Sequence, residues 1–158
     1  MKSNNATRLL DTKKIPYTAI EIPLRKLSAL EVAEILEVPP DIVYKTIVTR
    51  RGGLGKPVLA IVPATVEVNL KKLARALGEK KMVIPTLREA ETMTGLQAGG
   101  ISALALINKG FQVVIDKNAL EQDQIIISAG QRGLQLRLSP KHLAKLTNAR
   151  FFDLSSCV

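Results

Sequence analysis

An α+β fold is predicted for this 158-residue chain by two features of its sequence. Apolar stretches of strand length are interleaved with helical patterns opened by hydroxyl or amide caps. No regular strand–helix–strand alternation runs long enough to demand a doubly wound parallel sheet. The length suits one domain, residues 1–158, with a core that needs neither disulfide nor structural metal.

Taken in order, Ala6, Leu9, Leu10 and Lys13 predict a short helix ending before Ile15-Pro16, then a strand from Tyr17 to Ile22 closed by Pro23. Ser28-Ala29-Leu30-Glu31 is a capping box, in which hydroxyl and carboxylate each satisfy an orphan amide of the first turn. Leu30, Ala33, Ile35 and Leu36 are the expected buried face of the helix behind it. Pro39-Pro40-Asp41 is turn chemistry, and the β-branched run from Asp41 to Val48 reads as a strand with Lys45 at its middle. Arg51-Gly52-Gly53-Leu54-Gly55 turns the chain into a second apolar strand, Val58 to Val62, a hairpin signal. Asn69 caps a helix from Leu70 to Leu77 that stops at Gly78, Lys81 to Ile84 is a short strand, and Thr86-Leu87-Arg88-Glu89 is a second capping box for a helix ending at Gly95. Phe111 to Ile115, Gln124 to Ile127 and Leu134 to Leu138 are strands, the last two joined as a hairpin through Ser128 to Gly133. Ser139 with Pro140 at the first helical position opens a final helix through Leu146, and Phe151-Phe152 returns as a strand.

Composition narrows the function. Hydrophobic residues make up 46% and charged residues 23% of the chain, and no apolar run approaches the roughly 20 residues that span a bilayer. Met1 to Asn5 leads straight into an amphipathic pattern with no secretory signal, so a cytoplasmic protein without membrane association is expected. Cys157, the only cysteine, excludes an intrachain disulfide and reads as a thiol in a frayed tail. The net charge of +9 favours polyanionic partners, nucleic acid first. Six basic residues (Lys71, Lys72, Arg75, Lys80, Lys81, Arg88) face one acid, Glu79, between Asn69 and Arg88. Lys71, Lys72 and Arg75, on the expected open face of one helix, are the candidate phosphate-contacting cations. With aromatic content of 3% and no Trp, binding would rest on phosphates and shape rather than base stacking.

The usual catalytic devices are missing. One histidine, His142, and one terminal cysteine cannot make a zinc or iron site, and no cofactor motif is present. No nucleophile elbow supports a Ser-His-Asp hydrolase, and Gly52 to Lys56 lacks the spacing of a phosphate loop. Catalysis would fall to a lysine, backbone amides, hydroxyls or the substrate. Lys45, inside an otherwise apolar run, must either snorkel to the strand's wet edge or be held in a polar cleft. Gly95 to Ser102 lets backbone approach a ligand closely, yet Gly99-Gly100 also fits a tight turn, and Ser128 to Gly133 a hairpin loop without a ligand.

Four segments carry a resemblance when taken together: Val43-Tyr44-Lys45-Thr46-Ile47-Val48, Leu70 to Gly78, Thr94-Gly95 to Gly99-Gly100-Ile101-Ser102, and Ile127-Ser128-Ala129-Gly130-Gln131-Arg132-Gly133-Leu134. In order and spacing, over nearly the whole chain, they resemble the YbaK/prolyl-tRNA synthetase-associated editing domain family. The resemblance implies a single domain round a mixed, barrel-like β-sheet surrounded by helices. The implied activity is a metal-free aminoacyl-tRNA deacylase that hydrolyses mischarged tRNA in trans, chiefly tRNA for proline, with prolyl-tRNA synthetase as a candidate partner. It matches Lys45 to the family's one lysine needed for activity. It also matches Gly99, Gly100, Ile101 and Ser102 to the family's glycine loop, and Ser128 to Gly133 to its Ser-Gly-Gly-Lys-Arg-Gly turn, so that Ser128 and Gly130 line the pocket. The main alternative function is a non-catalytic tRNA- or synthetase-binding module. Three departures stand out. Ser102-Ala103-Leu104-Ala105 replaces a common Ser-Pro-Leu-Gly, Gln135 stands where cysteine-specific members carry Asp, and Ile22 falls near a Tyr of those members.

Overall fold

The computed structural model describes residues 4–156, in which each cap signal of the sequence begins a helix. Helix α1 (Asn5–Thr12) starts at Asn4, whose side chain accepts from the Thr7 N–H while the Thr7 hydroxyl accepts from the Asn4 N–H. Ser28 with Glu31 opens α2 (Ala29–Leu36), and Thr86 with Glu89 opens α4 (Leu87–Thr94) in the same reciprocal way. Asn69 caps α3 (Leu70–Leu77), which Gly78 ends in the left-handed conformation, and Ser139 caps α5 (Pro140–Thr147). Cys157 lies outside the described residues.

Eight strands connect these helices: β1 (Thr18–Glu21), β2 (Tyr44–Arg51), β3 (Val58–Pro63), β4 (Met82–Val83), β5 (Gln112–Asp116), β6 (Ile125–Ser128), β7 (Leu134–Leu138) and β8 (Arg150–Phe152). They form a three-stranded antiparallel sheet, β1-β7-β6, and a five-stranded mixed sheet, β4-β2-β3-β5-β8, in which β3, β5 and β8 run parallel. One bridge, Val43 to Ile126, joins the two. The barrel-like closure expected above is therefore not formed: one bridge does not carry the hydrogen-bond ladder round from sheet to sheet.

The main core fills the space between the sheets. Alternation sends Leu59 and Ile61 of β3, Val113 and Ile115 of β5, and Leu134, Leu136 and Leu138 of β7 into it, with Leu10 of α1 and Leu143 of α5 packed on the same cluster. The opposite face of β3, with Val58, Ala60 and Val62, packs on Leu73 and Ala74 of α3. The outer face of the small sheet, through Ile126, receives Val32 and Ala33 of α2. Two expectations for α2 are corrected here. Leu30 and Ile35 are exposed, and Ala29, Val32, Ala33 and Leu36 make the inward stripe, the set that follows the 3.6-residue period. The structure also begins the Lys45 strand later than expected, because Pro40–Ile42 is a single 3-10 turn; Lys45 is the second residue of β2, not its middle. His142 is exposed on α5.

Candidate functional site

β2 is flanked on one side by β3 along its length. On the other side β6 is bridged only to Val43, the residue before β2, and β4 pairs only with Arg50 and Arg51. Between these, the edge of β2 has no strand neighbour among the described residues. A cleft of about 390 Å³ opens there, with α2's first turn and the preceding Lys26-Leu27 on one wall, the glycine loop on another, and the outer face of the small sheet as floor. Its volume is at the small end for ligand pockets.

Four of the candidate residues line this cleft: Lys45, Gly99, Ile101 and Ser128. Lys45 is held in the cleft rather than left at a wet edge, since 24% of its side chain is exposed. Its Nζ lies 3.6 Å from the Glu67 carboxylate, close enough for an ion pair and too long for a hydrogen bond. The ammonium donors remain usable by a ligand. Glu67, in the β3–α3 loop and 85% exposed, was not marked by any sequence pattern. Tyr44, buried beside Lys45, has its phenol pKa raised above the ordinary value, first by burial and then by the Asp116 carboxylate, so it stays neutral. Glu31, at the cleft wall, has its carboxyl pKa lowered, chiefly by the Ser28 N–H that it accepts from in the capping box.

Gly100, Ser102 and Gly130 do not line the cleft; they build its walls. A Cβ on Gly100 would stand 2.9 Å from the Gln131 carbonyl carbon and 3.0 Å from the Arg132 nitrogen, so only glycine lets this loop rest on the β6–β7 turn. Ser102 is buried, and its Oγ accepts from the Leu104 N–H at 3.2 Å. Gly130, at φ +95°, abuts Ala105 and faces a second cavity behind the loop. Ala98 fastens the assembly: its N–H donates to Glu91 Oε2 at 2.8 Å and its carbonyl accepts from Arg132 Nε at 2.9 Å. The N–H groups of Gly99, Ile101 and Ser102 donate to no group among the described residues.

On α3, Lys71 and Arg75 are exposed. Lys72 instead binds the Asp153 carboxylate at 3.0 Å and the Ser155 carbonyl at 2.8 Å, anchoring the segment after β8. Gln135 lines the cleft floor opposite Ser128, and the strand position paired with it on β1 is Ile20, with Ile22 two residues on. Among the described residues no group of three or more His, Cys, Asp or Glu is placed to hold a metal, and no helix is long and apolar enough to cross a membrane.

Known proteins resemble this chain in sequence and in fold. A protein of Enterococcus faecalis (strain ATCC 700802 / V583), EbsC, named as a proposed Cys-tRNA(Pro)/Cys-tRNA(Cys) deacylase, is 36% identical over 157 residues, covering 98% of this chain and 94% of that protein. The crystal structure of hypothetical protein APE2540 superposes with a TM-score of 0.89 at 19% identity, over 97% of this chain and all of that one. That of a proposed trans-editing enzyme for prolyl-tRNA synthetase superposes with a TM-score of 0.79 at 23% identity, over 99% and 100%. At these identities both structures speak for the fold. The model of the aminoacyl-tRNA editing domain matches residues 26–146, a span that holds β2, the glycine loop and the β6–β7 turn, and the chain belongs to that family.

Proposed function

We propose that this protein is a trans-editing aminoacyl-tRNA deacylase that hydrolyses the ester of mischarged tRNA in the cytoplasm. The substrate is tRNA for proline carrying cysteine, as the name of the Enterococcus relative has it, or another small residue such as alanine, serine or threonine. Prolyl-tRNA synthetase is the candidate partner. The observation that carries the reading is a lysine with unspent hydrogen-bond donors in a small cleft walled by a glycine loop with free amides.

Lys45 binds the ester carbonyl, or the terminal ribose and phosphate, and offsets the negative charge that gathers on the carbonyl oxygen as it becomes tetrahedral. The amides of Gly99 and Ile101, unspent and at the cleft, supply further donors to that oxygen or to the attacking group. Water adds to the carbonyl carbon, the tetrahedral species collapses, and the ester C–O bond breaks to leave free amino acid and a terminal ribose hydroxyl. A neighbouring ribose hydroxyl, or the thiolate of a cysteinyl ester, replaces a protein general base by taking the proton of the attacking water and passing one on to the leaving ribose oxygen. Lys71 and Arg75 offer phosphate contacts for the tRNA body.

The test is hydrolysis across a panel of mischarged tRNAs at single turnover. Release of amino acid from at least one mischarged tRNA, with cognate prolyl-tRNA spared, is the expected result. Binding without turnover of any member would make the protein a tRNA-binding module instead.

A further inference from the structure

Ser128 of β6 and Gln135 of β7 are paired across the ladder, so their side chains rise from one face with Cβ atoms about 4.5–5.5 Å apart. That face is the cleft floor, and both residues line it. Gln135 is 5% exposed, yet its side-chain amide makes no hydrogen bond among the described residues. Nor is the amide sealed away: among the described residues the fully enclosed side-chain polar atoms without a hydrogen bond belong to Arg51, Asp116 and Ser155. The polar end of Gln135 therefore opens into the cleft. A mostly buried amide is costly there until something bonds to it, and the side chains of Leu27, Val32 and Ile101 in the same lining have no polar atom to offer.

The shape of that demand identifies the group that meets it. Gln135 presents both an acceptor and donors, and Ser128, whose Oγ already accepts from the Gly130 N–H at 3.2 Å, has a hydroxyl proton left to give. A methyl group satisfies neither residue, and a thiol is a weak donor and weak acceptor. An α-ammonium offers only donors and would share the cleft with the Lys45 cation. A hydroxyl both gives and takes, and fits two neutral neighbours without adding charge. Resting on the deacylase reading above, we propose that Gln135, with Ser128 beside it, reads a side-chain hydroxyl on the esterified amino acid, so that seryl and threonyl esters are the preferred substrates.

The experiment compares single-turnover hydrolysis of one tRNA charged with serine, threonine, cysteine or alanine. The wild-type protein is expected to favour seryl over alanyl ester by about tenfold or more, with cysteinyl between them. Gln135→Leu is expected to lower the seryl-to-alanyl ratio at least about tenfold, and Gln135→Met, closer in shape, to do the same if the leucine variant does not fold. An unchanged ratio in a folded variant, even with both rates reduced, overturns the proposal, since that is the pattern of a contact to the α-ammonium or of a structural role. Equal wild-type rates on seryl and alanyl esters overturn it without any variant. Failure of the wild type to hydrolyse any of the four esters would sink the deacylase reading itself.

Discussion

Replacing Lys45 with alanine tests the chemistry most directly. A unit charge about 4 Å from a developing oxyanion is worth about 4 kcal/mol at the effective dielectric near a protein surface and about 1 kcal/mol in water. Lys45 lies between these limits, with 24% of its side chain exposed and the Glu67 carboxylate 3.6 Å away as a competing counter-charge. A loss of about 2–3 kcal/mol of transition-state stabilisation follows, or about a hundredfold in rate. The fold should survive, because an ion pair to an exposed carboxylate contributes at most about 1 kcal/mol, a shift of a few degrees in Tm. The assay is single-turnover deacylation with circular dichroism melting as the control for folding. Lys45→Arg should keep part of the rate, since it retains the charge but replaces a compact ammonium with a planar fork. Glu67→Gln, which removes the competitor, should leave the rate unchanged or raise it. Full activity in a folded Lys45→Ala protein would refute the assignment of the lysine.

Three further outcomes follow from the geometry. Gly100→Ala should destabilise the protein by about 1–3 kcal/mol, because its new methyl meets backbone atoms of Gln131 and Arg132 that cannot swing aside; Gly53→Ala, with nothing within 4 Å, should melt as the wild type does. Burial holds the Tyr44 phenol protonated in the folded protein, so the unfolded chain loses that proton first as pH rises past the ordinary tyrosine value of 10.0. Stability from this group is thus complete below pH 10 and falls above it, and Tyr44→Phe should show a shallower alkaline decline in Tm than the wild type. Replacing Lys71 and Arg75 together with alanine should weaken tRNA binding and reduce the slope of log affinity against log salt by about 1.5. Lys72→Ala, whose ammonium is engaged with Asp153 and Ser155, should change the slope less and loosen the segment after β8 instead.

Local signals predicted local structure well. The capping boxes at Ser28 and Thr86, the Asn69 cap and the Gly78 stop all name their own partners within a few residues, and each helix begins or ends there. The buried stripe of α2 was also present, in the spacing of Ala29, Val32, Ala33 and Leu36, but the larger Leu30 and Ile35 obscured it. What the sequence could not carry was pairing between distant segments. Nothing local says that β5 and β8 run parallel to β3, or that one bridge at Val43 takes the place of a closed ladder. The site divides along the same line. Lys45 could be picked out because a charge in an apolar run is anomalous by itself. Its neighbour Glu67 and the opposition of Gln135 to Ser128 arise only when loops and ladders are assembled. Ser102 belongs to the same loop as Gly99 and Ile101, and Gly130 to the same turn as Ser128, yet packing turns both away from the cleft.

Ala98 has a consequence for how such a protein can diverge. Its backbone is clamped from behind by Glu91 and Arg132, which lie on α4 and the β6–β7 turn and do not line the cleft. The wall that presents the Gly99 and Ile101 amides to the cleft is therefore held by residues other than those on the cleft floor. Substitutions on the floor at Gln135, or on the α2 wall at Val32, can change what the cleft accepts while the glycine wall keeps its shape. A lineage built this way can alter one side of its cleft without rebuilding the other.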